Sequence, residues 1–135
     1  MPHLVILYTP NLEAQADMAT LCRALADTML AVKDEAGKAV FPPGGTRVLA
    51  YPATHYAVAD GERDYAFVYL NLRMAFGRSA ASKKEAGDRL MEVVKRHFAA
   101  LLEQRLISIT LQIDEAPGQV YDAKHGNIHP LFNNT

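Results

Sequence analysis

Hydrophobic and polar positions along the chain predict a strand followed by an amphipathic helix in its first third. The apolar run 3–9, His-Leu-Val-Ile-Leu-Tyr-Thr, predicts a strand that is covered on both faces. Apolar residues then recur at three- and four-residue steps, which is typical of a helix with one buried face. These residues are Met18, Leu21, Cys22, Leu25 and Met29. Asn11 is expected to cap this helix, with Glu13 in its first turn.

A loop and a second strand follow the first helix. Segment 33–45 contains several charges, three glycines and the pair Pro42-Pro43, so it is predicted to be a loop. Segment 47–58 predicts a strand that is interrupted or bulged at Pro52, because proline cannot donate a ladder hydrogen bond. A polar turn is predicted for segment 60–64.

The second half of the chain repeats the order strand, helix and strand. Segment 65–72 predicts a strand with aromatic residues on one face and aliphatic residues on the other. Ser82 and Glu85 have the spacing of a capping box, which predicts the start of a second helix. Its buried stripe comprises Ala86, Leu90, Val93, Val94, His97, Phe98 and Leu101. Segment 106–113 alternates as a fourth strand, and an irregular tail is expected from about Ala116.

This order predicts an α+β protein of two layers, a single domain spanning residues 1–135. A four-stranded sheet would carry two helices on one face. The pattern alone fits either a ferredoxin-like split β-α-β fold or a doubled β-α-β fold with parallel strand pairs. The first and third strands are apolar on both faces, so the sheet face without helices requires another cover. A second copy of the chain is the expected cover, which predicts an oligomer.

Composition and charge narrow the classes of function. Lys and Arg total 14 against 15 Asp and Glu, for a formal net charge of −1. This balance argues against nucleic acid as a partner, since a protein that grips a phosphate backbone carries a basic excess. The single cysteine, Cys22, excludes an internal disulfide framework. No apolar run is long enough to suggest a membrane span, and the amino terminus lacks a secretory pattern, so a cytoplasmic location is expected.

The second residue, Pro2, is the first candidate for chemistry. Cytosolic processing usually removes an initiator methionine that precedes a small residue, which would leave Pro2 as an amino-terminal secondary amine. Burial or neighbouring cations would lower the pKa of such an amine towards neutrality, where a general base works best. The competing interpretation is that proline at this position only promotes methionine removal.

Several motifs resemble the tautomerase superfamily, whose members share an amino-terminal proline, and within it 5-carboxymethyl-2-hydroxymuconate isomerase. The resemblance covers residues 2 to about 132, and its motifs occur in the family's order. They are Met1-Pro2-His3, Phe41-Pro42, Gly45-Thr46-Arg47, Ala59-Asp60-Gly61, Asp64-Tyr65-Ala66-Phe67-Val68, Gly77-Arg78-Ser79, His97-Phe98-Ala99-Ala100-Leu101 and Asn127-Ile128-His129-Pro130-Leu131-Phe132.

The resemblance implies a doubled β-α-β tautomerase fold and a cofactor-independent isomerase of 4-hydroxyphenylacetate (homoprotocatechuate) breakdown. Pro2 would be the catalytic base, while Arg47 and Arg78 would bind a small polycarboxylate substrate. A homotrimer is implied, with neither a metal nor an organic cofactor. The residue types agree with this chemistry, because planar guanidinium groups hold carboxylates through paired hydrogen bonds. Arg78 also precedes a helix start, whose free N–H groups are expected to add affinity for anions.

Some features leave other functions open. Loop 33–45 is longer than the family's, and if Met1 is retained, the nitrogen of Pro2 is an amide that cannot act as a base. The alternatives are another keto–enol tautomerase of the same superfamily, or a non-catalytic module that binds a small molecule. His125 and His129 have a spacing that suits a metal on a helix, but Gly126 and Pro130 argue against a helix there.

Overall fold

The computed structural model describes residues 2–132, whose four strands form one mixed sheet in the order β2-β1-β3-β4. The strands are β1 (His3–Tyr8), β2 (Arg47–Pro52), β3 (Tyr65–Ala75) and β4 (Leu106–Ala116). Strands β1 and β2 are parallel, β3 and β4 are parallel, and β1 pairs with β3 in the antiparallel sense. Two parallel pairs joined in this way select the doubled β-α-β arrangement over the ferredoxin-like alternative.

Helices cover one face of this sheet. A short helix α1 (Glu13–Ala16) leads into α2 (Met18–Ala31), and the long helix α3 (Ala80–Leu102) connects β3 to β4. Side chains alternate across a strand, so every second residue of β1 and β3 points to the helices and is buried. The fully buried side chains on the strands and helices include Leu4, Ile6, Leu21, Leu25, Met29, Val68, Leu70, Leu72, Leu90, Val94 and Phe98. None of the helices within residues 2–132 has the length and hydrophobicity needed to cross a bilayer.

The first helix begins differently from the sequence prediction. Asp17 adopts a left-handed conformation with φ of 46°, which separates α1 from α2, and its side chain accepts a hydrogen bond from the backbone N–H of Thr20. Asp17 is therefore the cap of α2. The prediction that Asn11 caps the helix was wrong, because its amide donates instead to the carboxylate of Asp64 and to the carbonyl of Tyr65.

The long helix α3 also begins before the predicted position. Ser79 is its cap, with an extended backbone, and its hydroxyl oxygen accepts from the N–H of Ser82 at 3.0 Å. The predicted capping box of Ser82 with Glu85 was therefore wrong, and Ser82 lies buried inside the first turn. The predicted buried stripe is largely confirmed, since four of its positions are fully buried. They are Ala86, Leu90, Val94 and Phe98.

The strands differ from the prediction mainly in length. Strand β2 ends at Pro52, and Ala53 donates its N–H to the carbonyl of Tyr8, so the predicted continuation to residue 58 was wrong. Strands β3 and β4 each extend three residues beyond the prediction, because their parallel ladder stays in register as far as Ala75 and Ala116. The tail beyond β4 is irregular, as predicted, apart from a single 3₁₀ turn at His129–Phe132.

Apart from the end where the carboxy-terminal tail lies against it, the sheet face opposite the helices has no cover among the described residues. Three large apolar side chains on it, Leu7, Leu49 and Tyr51, are 43%, 43% and 48% exposed. Isolated apolar residues are ordinary on a protein surface, but a row of them across adjacent strands marks an interaction surface. The expectation of self-association through this face remains a prediction.

Two leucines of α3 provide a test of where the core lies. Leu90 is fully buried, whereas Leu102 at the end of the same helix is 44% exposed. Leu90→Ala is expected to lower the free energy of unfolding by about 2–5 kcal/mol, because it leaves a cavity under the helix. Leu102→Ala is expected to cost about 1 kcal/mol or less. Urea denaturation measures both variants, and equal losses would contradict this account of the core.

Candidate active site

The three site residues predicted from the sequence line one cavity of about 530 Å³. Pro2 precedes β1 and is buried, and Arg47 is the first residue of β2. Arg78 lies in the turn between β3 and α3. They meet because the starts of β1 and β2 lie at the same end of the sheet as the ends of β3 and β4. A buried proline and two cations therefore face one space.

The rest of the cavity wall comes from a glycine-containing loop and the carboxy-terminal tail. Loop 42–45 contributes Pro42, Gly44 and Gly45, and segment 124–130 of the tail lines the cavity along its whole length. Gly44 is buried because His129 packs directly against its Cα. Sequence reasoning did not assign the tail to the site. The only signal for it was the motif at 127–132.

Arg78 is held in place while its positive charge stays available. Its Nε donates to the carbonyl of Val40 at 3.2 Å, and Nη1 donates to the carbonyl of Ala75 at 3.1 Å. The guanidinium carbon lies 5.4 Å from the centre of the Phe41 ring, in a cation–π contact. Burial lowers the pKa of Arg78, with Glu115 opposing the shift, but an arginine stays charged near neutrality. Within residues 2–132 no carboxylate forms an ion pair with it.

Glu35, in the long loop that precedes β2, occupies the start of α3. Its Oε1 accepts hydrogen bonds from the hydroxyls of Ser79 at 2.8 Å and Ser82 at 3.0 Å. A carboxylate of the protein therefore lies at this helix start, where the dipole favours negative charge, but it binds serine hydroxyls rather than backbone N–H groups. The expectation that the helix start adds affinity for anions stays a prediction. The same contact ties the loop to α3. Since the loop also supplies the Val40 carbonyl, Glu35 helps to position Arg78.

His3 lies beside the cavity of Pro2 but does not line it. It lines a neighbouring cavity of about 190 Å³, as expected for a residue that alternates to the other face of β1. Its register partners are Arg47 on β2 and Arg73 on β3. Burial lowers the pKa of His3, and the charges of Arg47 and Arg73 lower it further.

Other titratable candidates lie in the core, away from the cavity. His97 is part-buried with its Nε2 against the carbonyl oxygen of Ala16, which fits the interpretation of a hydrogen-bonded core histidine. The hydroxyl of Tyr8 donates to the carboxylate of Glu13, and burial together with this bond raises the pKa of Tyr8 to about 12. Burial also raises the pKa of the Cys22 thiol, as expected for an unreactive cysteine.

The two histidines considered as metal ligands both lie in the cavity wall. His125 and His129 come from the tail segment that closes the site. Among residues 2–132 no group of three or more His, Cys, Asp or Glu side chains could hold a metal ion. Independence from metals and cofactors stays a prediction.

Comparisons with known proteins place the chain in a family. The family model for 5-carboxymethyl-2-hydroxymuconate isomerase matches residues 2–132. The chain is 34% identical over 132 residues to a 5-carboxymethyl-2-hydroxymuconate Delta-isomerase of Escherichia coli, covering 98% of this chain and 99% of the relative.

Solved structures agree with the sequence comparison. A crystal structure of a 5-carboxymethyl-2-hydroxymuconate delta-isomerase is 53% identical, with a TM-score of 0.93, and the match covers 98% of this chain and 93% of that one. A 5-carboxymethyl-2-hydroxymuconate isomerase from Deinococcus radiodurans R1 is 37% identical, with a TM-score of 0.85 and coverages of 98% and 94%. A far more distant fused 4-OT structure, 17% identical with a TM-score of 0.54, shares the fold.

The sheet order and the two parallel strand pairs, shared with the distant fused 4-OT structure, define the doubled β-α-β tautomerase fold. The match to the family model over nearly the whole chain then makes the assignment specific. The chain belongs to the 5-carboxymethyl-2-hydroxymuconate isomerase family. The fold and the family expected from the sequence are confirmed.

The contact between Gly44 and the tail can be tested by substituting alanine for each of two glycines. A Cβ added at Gly44 would lie 2.6 Å from Nδ1 and 2.7 Å from Cα of His129, so the tail backbone must move. Gly44→Ala is therefore expected to displace the turn at His129–Phe132 from the cavity. NMR would show the amide of Leu131, which donates to the carbonyl of Ile128, shifting towards its random-coil value. Gly126→Ala is the control, because its Cβ meets nothing within 4 Å. Unchanged tail resonances in Gly44→Ala would contradict this packing.

Proposed function

We propose that this protein is a cofactor-independent 5-carboxymethyl-2-hydroxymuconate delta-isomerase acting in the breakdown of 4-hydroxyphenylacetate by way of homoprotocatechuate. The observation that carries the proposal is the convergence of Pro2, Arg47 and Arg78 on one cavity in a chain of this family. The substrate's name describes a dienol with three carboxylates, and fixed cations are the groups that recognise such a molecule. A nearly neutral protein with a locally cationic cavity meets that requirement.

The base in this proposal is the nitrogen of Pro2 once Met1 has been removed. That nitrogen is then a secondary amine at the edge of the cavity, and the charges of Arg47 and Arg78 disfavour its protonation. It takes the proton from the 2-hydroxyl of the dienol, and the conjugated electrons shift along the chain. The protonated amine then delivers a proton to a distant carbon of the same substrate. The product is the unsaturated ketone, and the free amine is regenerated.

Arg47 and Arg78 have two roles in the same proposal. Each guanidinium can hold a carboxylate through two parallel hydrogen bonds, which fixes the dienol against Pro2. Their charges also stabilise the negative charge that develops on the dienolate. The position of Arg78 supports this role, because two backbone carbonyls and the Phe41 ring orient it before any ligand arrives.

We also propose a cytoplasmic homotrimer in which the open sheet face packs inward. The exposed Leu7, Leu49 and Tyr51 on that face support this assembly, since association would remove them from water. The distant fused 4-OT structure is described as a symmetric trimer, which agrees with the same arrangement for this fold.

The proline mechanism is tested with intact protein of verified mass. Protein that lacks Met1 is expected to isomerise 5-carboxymethyl-2-hydroxymuconate, followed by absorbance. Pro2→Ala should lower kcat by at least about 10²–10⁴-fold, the usual contribution of a general base. Pro2→Ala should unfold at nearly the same urea concentration, so a loss of activity reports on chemistry. A processed protein without activity would overturn the substrate assignment, and full activity of Pro2→Ala would overturn the proline base.

The role of Arg78 is tested against a structural arginine. Arg78→Ala should raise the barrier measured by kcat/KM by about 2–5 kcal/mol, because a charge facing the substrate is lost. Arg78→Lys should restore part of it, since the charge returns without the paired geometry. Arg105 is the matched control, because it donates to the carbonyl of Asn11 at 2.7 Å, outside the cavity. Arg105→Ala should change thermal stability but not kcat/KM, and the same pattern in Arg78→Ala would assign Arg78 a structural role only.

A further inference from the structure

A second cationic cavity adjoins the proposed active site. It has a volume of about 190 Å³, and its wall includes His3, Arg47, Arg73 and Lys124. Arg47 and Lys124 also line the larger cavity that contains Pro2. The two spaces are therefore neighbours that share part of their walls, and one ligand of several carboxylates could extend from one to the other.

The register of the sheet explains why these cations converge. His3 in the central strand β1 has Arg47 as its partner on one side and Arg73 on the other. Residues aligned in this way point to the same face, so both arginines flank the histidine. Their backbones are separated by two strand spacings, about 10 Å. Because both side chains line the same cavity, an anion placed over His3 would contact a guanidinium on either side.

In the part of the chain that the structure describes, only one of the three cationic side chains in this cavity is held in an ion pair. Lys124 forms an ion pair with Asp122 at 2.6 Å, and both residues line the cavity. Within residues 2–132 neither Arg47 nor Arg73 forms an ion pair with a carboxylate. Asp114 is the register partner of Arg73 on β4, but its carboxylate accepts a hydrogen bond from Asn71, so both guanidinium groups stay free of ion pairs among the described residues.

His3 adds a polar group without a full charge to the same cavity. Burial lowers the pKa of His3, and the charges of Arg47 and Arg73 lower it further, so the neutral form of its ring is favoured. A neutral imidazole offers one hydrogen bond donor rather than a third charge. The cavity therefore combines positive charge with a hydrogen bond donor, which is a composition that suits an anion.

We propose that this cavity binds the carboxymethyl carboxylate of the substrate and that Arg73 selects tricarboxylates over dicarboxylates. The inference rests on the proposed function and extends it. Arg47 and Arg78 of the larger cavity account for two of the three carboxylates, and its third cation, Lys124, is already paired with Asp122. Arg73 does not line the cavity of Pro2, so it holds the branch of the substrate rather than the reacting atoms. When a dicarboxylate binds, the guanidinium of Arg73 has no carboxylate to contact.

Steady-state kinetics with two substrates tests this selectivity. Arg73→Ala should lower kcat/KM for 5-carboxymethyl-2-hydroxymuconate by at least about tenfold, the loss expected when one charge-assisted contact is removed. For 2-hydroxymuconate, which lacks the branch, kcat/KM should change less than about twofold on the same reasoning. Arg73→Lys should recover part of the selectivity. Arg63 is the matched control, because it is exposed and lies outside both cavities.

The outcomes of this experiment separate the subsite from a structural role of Arg73. Equal losses for both substrates, or no loss for either, would overturn the proposal. So would dissociation of the assembly in Arg73→Ala, measured by light scattering, since Arg73 would then serve an interface. Selectivity that falls in Arg73→Ala while Arg63→Ala and the assembly stay unchanged would support it.

Calorimetry with unreactive ligands separates the subsite from the proposed reaction. Propane-1,2,3-tricarboxylate should bind Arg73→Ala at least about tenfold more weakly than the unsubstituted protein, whereas glutarate should bind both alike. If the protein shows this dependence on Arg73 but has no isomerase activity, the proposed reaction is overturned and the subsite proposal is supported. An active protein whose affinity for the tricarboxylate does not depend on Arg73 would overturn the subsite alone. Failure of the tricarboxylate to bind the unsubstituted protein would also overturn it.

Discussion

The antiparallel pairing of β1 with β3 is the constraint on which the rest of the site depends. It opposes His3 to Arg73 and so brings the amino end of the chain to the carboxyl end of β3, from which the turn with Arg78 leads. The parallel pairing of β1 with β2 adds Arg47 at the same end. A slip of one residue in either ladder would turn these side chains to the opposite face of the sheet. The alternation that buries Leu4 and Ile6 under the helices therefore also fixes where the cations point.

A second level of organisation comes from the loop that precedes β2. Glu35 binds the first turn of α3 through two serine hydroxyls, and the loop it anchors presents the Val40 carbonyl and the Phe41 ring to Arg78. Phe41 is fully buried, so the loop is secured by packing as well as by hydrogen bonds. An arginine fixed in this way loses little conformational freedom when it binds an anion, and preorganisation of that kind favours affinity.

Periodicity in the sequence predicted the strands, the long helices and the buried stripe, because burial of apolar side chains determines all three. It failed at helix starts, because the residue that caps a helix is determined by single hydrogen bonds. Asn11 has the residue type of a cap, yet Asp64 and Tyr65, distant in sequence, bind its amide. The resemblance named Pro2, Arg47 and Arg78, and the fold brings them to one cavity. The tail and Arg73 escaped prediction, because their contribution depends on tertiary register and on a chain segment without periodicity.

Three arginines lie close together at one end of the sheet, and the proposed polycarboxylate would bind among them. The whole chain carries a formal net charge of −1, yet Arg47, Arg73 and Arg78 lie at one end of the sheet without ion-pair partners among the described residues. Like charges held close together destabilise the folded state, so such a cluster opposes folding unless an anion offsets it. A polycarboxylate that binds only the folded chain would stabilise it by an amount that grows with the logarithm of the ligand's affinity. In the proposed function, the attraction between these arginines and the carboxylates of the substrate would therefore both bind the substrate and stabilise this end of the sheet.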